Sequence, residues 1–286
     1  MGKLKNTLIA FYICLPLVIA LRTIQLLFMV DPQTGFALEE NFLGGTMGTV
    51  LVSFMFLGLV AVLLLLSRLA GAWPSQLPQN SPVVGVIALV LSLCNMYELV
   101  RVFGEQMGQG NRVVNVALIL FVILSSAYYF LLGLSCLVRF ALPPVCSLIP
   151  VVFHVLLLIS TFMKYTALAN VSENSYDIAC LCLMLVFSLQ YAKLSCGYQF
   201  MKTSRYIYGV GLSAALLCVM ITLPRYIILL TGRGESLHNT LTLSPYLLVY
   251  AVFMVVFLSR NFKSPFRDQV DKDEKEEDPV LYQPAE

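Results

Sequence analysis

Charge is what this sequence has least of. Asp, Glu, Lys and Arg make up only 12% of its 286 residues, against 59% hydrophobic residues and a mean hydropathy of +0.83. A soluble globule cannot hide that much apolar surface, so the soluble classes are excluded and no separate soluble domain is expected. Histidine is scarce as well, with only His154 and His238. There is no CxxC pair and no cluster of His with carboxylates, so no metal site is expected. HExxH, GxSxG, P-loop and dinucleotide fingerprints are all missing, which disfavours an enzyme and gives no reason to expect a cofactor. The net charge of +2 comes from cations scattered among helix ends rather than gathered on a face, which argues against nucleic acid as a partner.

What the sequence does contain is apolar runs long enough to cross a hydrocarbon core of about 30 Å, repeated along the whole chain. Eight are legible: 7–30, 46–67, 83–103, 113–138, 148–164, 177–193, 206–230 and 244–259. Turn signals separate them, among them "DPQTG" at 31–35 and "LPP" at 142–144. Lys3 and Lys5 precede the first run as in a signal peptide, yet that run continues through Val30 without a small-residue cleavage site and reads as a retained helix. Six of the eight cysteines (Cys14, Cys94, Cys136, Cys180, Cys182 and Cys218) lie inside apolar runs and read as packing residues. The expected fold is an all-α integral membrane protein, an eight-helix transmembrane bundle over residues 1–262. An acidic tail, 263–286, carries "DKDEKEEDP" and is too polar to bury a face.

Lys and Arg accumulate in cytoplasmic flanks. One side of the eight-span reading holds ten (Lys3, Lys5, Arg68, Arg139, Lys193, Lys202, Arg205, Arg260, Lys263 and Arg267) and the other four (Arg101, Arg112, Lys164 and Arg233). Both termini are therefore expected on the cytoplasmic side of a cell membrane. Every odd-numbered span also carries polar residues near its outer end: Arg22 and Gln25, then Asn95, Glu98 and Arg101, then Thr161 and Lys164, then Pro224 and Arg225. Every even-numbered span ends in a cytoplasmic cation. Positive-inside bias explains the second pattern but not the first, so the spacing suggests four tandem helical hairpins.

Some of these side chains sit at costly depth. Counting from Leu8 at about 1.5 Å per residue, Arg22 lies about 21 Å into a core of about 30 Å. Insertion scales charge about 2.5 to 3.5 kcal/mol for Arg at a helix centre, so such a residue is expected to face the bundle or a wet cavity. Gln25 shares its helix face. Asn95, Glu98 and Arg101 form one stripe climbing the third span, and Glu98 is the one acidic residue within a span apart from Asp177 at a boundary. Glu98 is accordingly the expected counter-ion of Arg22 or Arg225. Pro224 frees the Met220 carbonyl beside Arg225. Ser125, Ser126, Tyr128 and Tyr129 fall near mid-bilayer and need hydrogen-bond partners, and His154 is expected to be packed and hydrogen-bonded.

The leading reading is a small-solute transporter or binding protein. Its outer vestibule, polar and cationic, is formed by Arg22, Gln25, Asn95, Glu98, Arg101 and Arg225, and its ligand is a small polar or anionic solute. The alternative is a membrane scaffold or signalling subunit whose tail binds a cytoplasmic protein.

Overall fold

The computed structural model describes residues 2–30, 46–69, 81–106, 112–138, 140–165, 172–196, 201–232 and 244–261. These form α1 (Gly2–Phe28), α2 (Thr46–Leu69), α3 (Pro82–Gln106), α4 (Arg112–Val138), a 3-10 turn η1 (Pro144–Leu148), α5 (Ile149–Tyr165), α6 (Ser172–Ser195), α7 (Met201–Leu230) and α8 (Pro245–Asn261). Hydrocarbon offers no partner for a backbone N–H or C=O, so apolar runs of this length satisfy themselves as helices. Pro82 and Pro245 open their helices, where a missing N–H removes no helical bond.

Six of the helices are long and apolar enough to cross a membrane: Thr7–Phe28, Pro82–Val100, Val113–Val138, Pro144–Met163, Ser175–Ser195 and Tyr206–Leu230. Val52–Leu65 and Pro245–Arg260 are shorter apolar helices. The chain is a multi-pass membrane protein, all-helical among the described residues. The acidic tail and the loop at 31–45 lie outside them.

The bundle is built around α7, which packs on α1, α2, α6 and α8, while α3 joins α4 and α8, and α5 joins α4 and α6. Every residue of α7 from Ile207 to Cys218 is buried. Its small residues allow this: a Cβ on Gly211 would come within 2.8 Å of Leu258 and 2.9 Å of Phe187. The same device seals α3 to α4. A Cβ on Gly133 would meet Leu89 at 2.6 Å and the Gly85 carbonyl at 2.9 Å, so the two backbones touch where neither has a side chain. Successive helices pack in each of the four expected hairpins, but unequally, because α7 is shared by four neighbours.

Candidate functional site

Five of the six candidate residues are buried: Arg22, Gln25, Asn95, Glu98 and Arg225. The side chain of Arg101 lies outside the described residues. The five fall into two groups. The first is gathered on the N-terminal part of α6. Arg22 of α1, fully buried, donates through Nη1 to Gln25 Oε1 one turn along, and its guanidinium carbon sits 4.6 Å from the centre of the Tyr176 ring. Tyr176 is fixed in turn by its hydroxyl, 2.5 Å from Ser53 Oγ of α2, and by an edge contact with Phe56. The next residue of α6, Asp177, lies 3.6 Å from Arg225 Nη2 of α7. Two arginines from different helices thus meet consecutive residues of α6 at one level.

The sequence reading has Asp177 at a span boundary and Glu98 as counter-ion; the structure adds Asp177, beside the start of the Ser175–Ser195 apolar stretch, as a partner of Arg225. The structure starts α6 at Ser172, which puts Asp177 more than one turn inside the helix and against Arg225. The sequence "SENSYD" is too polar for the apolar pattern to reveal that the helix already runs through it.

The second group lies on α3. Glu98 accepts a hydrogen bond from the Ser244 hydroxyl at the entry to α8, and Asn95 Nδ2 donates to the Val122 carbonyl of α4 at 3.3 Å. One turn further on, Ser92 and Ser126 exchange hydroxyl contacts with each other's carbonyls, each at 2.9 Å. Ser126 therefore has the interhelical partner its depth calls for. Gln25 Nε2, Asn95 Oδ1 and Ser125 Oγ are buried with no hydrogen-bond partner among the described residues. Cys180, one turn along α6 from Asp177, brings its thiol to 3.2 Å from that of Cys218, so these two packing cysteines touch each other.

A further polar set, uncharged, joins α5, α6 and α8. His154 is completely buried, with Nε2 2.9 Å from the Tyr246 hydroxyl and Nδ1 2.9 Å from Ser188 Oγ. Ser188 also lies 2.8 Å from the Tyr250 hydroxyl and 2.9 Å from the Met184 carbonyl. Beside it is a cavity of about 10 Å³, lined by Tyr128, Tyr129, Ser147, Ser188, Tyr191 and Tyr250 among others, room for about one water. The packed, hydrogen-bonded His154 matches its expectation; its partners are not anticipated. The available signal was the α8 stripe Tyr246, Tyr250, Phe253 and Phe257, whose helical spacing marks a single aromatic face.

Compared with family models, with curated proteins and with solved structures, the chain matches none. Its chemistry must be read from the geometry. Two guanidinium groups in a water-poor layer, with amide donors and acceptors left over, can hold a small anion or a polar solute by charge-assisted hydrogen bonds. Among the described residues no group of three or more His, Cys, Asp or Glu is placed to hold a metal ion.

Proposed function

We propose that the chain is a carrier of a small polar or anionic solute, taken up between α1, α3, α6 and α7 by Arg22, Gln25, Asn95, Glu98, Arg101 and Arg225. The observation that carries this reading is the pair of stranded amide atoms, Gln25 Nε2 and Asn95 Oδ1, fully buried and without partners among the described residues. A buried polar atom left unsatisfied costs about 1 to 3 kcal/mol, which a ligand meeting it would offset. The burial of Arg22 and Arg225 supports an occluded site rather than a permanently open vestibule. In this reading all eight helices cross the membrane, as four tandem hairpins with both termini cytoplasmic; reporter fusions after Gly35 and after Glu286 should then report opposite sides.

The test is a melting screen of the purified full chain in detergent against small carboxylates, inorganic phosphate and zwitterionic amino acids. A solute at about 100 times its Kd should add about 2.7 kcal/mol, a rise of several degrees. Arg22→Gln should abolish that rise. If no polar or anionic solute raises the melting temperature, the carrier reading fails. Loss of a cytoplasmic partner on deleting residues after Arg267, with folding intact, would support the scaffold alternative instead.

A further inference from the structure

We infer that the network around His154 is a proton relay through the bundle. The inference extends the carrier reading, but the relay is taken to conduct whether or not a solute is bound, so the two can fail separately.

The contacts fix most of the hydrogen positions. The Ser188 hydroxyl has one proton and two lone pairs, and the Met184 carbonyl beside it can only accept. In the arrangement consistent with these contacts Ser188 donates to Met184 and accepts from the Tyr250 hydroxyl, while the His154 Nδ1–H is shared between Ser188 Oγ and the Pro150 carbonyl one turn earlier. Nε2 is then the bare nitrogen and accepts from Tyr246. The imidazole therefore sits in a chain, Tyr246 to His154 to Ser188 to Tyr250, with a hydroxyl on each of its nitrogens. A histidine buried for packing alone needs one such partner to hold its tautomer, whereas one partner on each nitrogen is what transfer through the ring requires.

Both ends of the chain lead somewhere. Ser244, two residues before Tyr246, donates to Glu98, so a buried carboxylate lies at the α8 entry. At the other end Tyr250 and Ser188 line the water-sized cavity, whose wall includes Ser147 of η1. Pro144 and Val145 of η1 are exposed, so the cavity is one short turn from the surface. Pro150 in the first turn of α5 and Pro144 in η1 have no N–H, and the Ser147 hydroxyl turns back to the Pro144 carbonyl at 2.6 Å.

The titratable groups around the network are Tyr128 and Tyr129 of α4, Cys146 of η1, Tyr191 of α6, Cys218 of α7 and Tyr246 and Tyr250 of α8, all uncharged at neutral pH, together with Glu98 of α3, which faces Tyr246. No cation in this set competes with an imidazolium. As a proton passes, each member gains one and releases one. For a transfer the Ser188 proton turns from the Met184 carbonyl to Tyr250, and the Tyr250 proton turns from Ser188 to the cavity water. Tyr246 then gives its proton to Nε2 as it takes one arriving from the Glu98 end; Nδ1 releases its own to Ser188; Ser188 passes one to Tyr250; and Tyr250 hands one to the cavity water. Only O–H and N–H bonds form and break, and rotation of the three hydroxyls with exchange of the ring tautomer resets the chain.

The experiment uses the full chain in liposomes holding a pH-sensitive dye, with an inside-negative potential set by outward potassium diffusion and no added solute. Liposomes with the wild-type chain should acidify faster than protein-free ones. His154→Gln, Ser188→Ala and Tyr246→Phe should each slow entry by about tenfold or more, because a broken chain must wait for water to bridge the gap. Ser135→Ala, whose hydroxyl bonds the Leu132 carbonyl outside the network, should leave it unchanged. Tyr246→Phe removes one oxygen and keeps the ring, so it serves if His154→Gln does not fold. Wild-type liposomes no faster than protein-free ones, or full flux through a folded Tyr246→Phe variant, would overturn the relay. A melting shift with solute but no flux would leave the carrier reading standing without it.

Discussion

The two buried polar regions solve the same problem by different means. Around Tyr176 and Asp177, two arginines are kept in a water-poor layer by a carboxylate, a ring face and an amide, each contact holding a full charge. Around His154 the groups are neutral, and saturation of donors and acceptors replaces charge pairing. The energetic consequences differ in kind. Removing a partner in the first region strands an ion, and in the second only a dipole. The charged layer is thus costly to perturb and suited to recognising an ion, whereas the neutral chain is held by hydrogen bonds alone, with a partner on each side of the imidazole.

The largest expected effect follows from that difference. Arg225→Gln removes a buried cation from the side of Asp177 and should destabilise the chain by about 3 kcal/mol, with Asp177→Asn recovering much of the loss in the double variant. The matching change in the neutral region, His154→Gln, should cost about 1 to 2 kcal/mol, since an amide can still bond one of its two neighbours. Denaturant unfolding in detergent of the three variants and the wild type reads both values. Equal losses at the two sites would break the comparison.

A smaller effect probes whether α3 belongs with the charged layer. Glu98 and Ser244 form a charge-assisted contact between α3 and α8, and hydrogen bonds to charged groups contribute about 1.5 to 3 kcal/mol. In a double-mutant cycle of Glu98→Gln with Ser244→Ala the coupling should exceed about 0.5 kcal/mol. Running Glu98→Gln against Arg225→Gln in the same assay asks whether the carboxylate also feels that arginine. Coupling to Arg225 larger than coupling to Ser244 would mean that the two groups form one electrostatic unit.

The helices were legible because hydrocarbon demands long apolar runs: all eight expected segments correspond to an observed helix, with ends shifted by a few residues. The burial of Arg22, Glu98 and Arg225 was legible for the same reason, since charge stands out in an apolar run. Their partners were not. Tyr176 and Asp177 sit in a polar stretch that reads as a loop, and Ser53 and Ser188 are single hydroxyls in apolar helices, indistinguishable by sequence from serines that merely bond their own helix. The Gly85–Gly133 contact was equally silent, because close approach of two backbones depends on which faces meet.

The smallest effect sharpens the comparison most, because the same atom is deleted in both regions. Tyr176→Phe removes the hydroxyl bound to Ser53 but leaves the ring beneath Arg22, so the cation keeps its ring contact. It should cost about 1 kcal/mol, the ordinary value of one hydrogen bond. Tyr246→Phe removes a hydroxyl from a chain in which His154 Nε2 has it as partner, so a fully buried imidazole nitrogen is left bare. Its cost should be about 1 kcal/mol greater, from desolvation of that nitrogen. The two melting curves, taken side by side in the same detergent, read both costs. Equal losses in the two variants would mean that Tyr246 acts on His154 as packing alone.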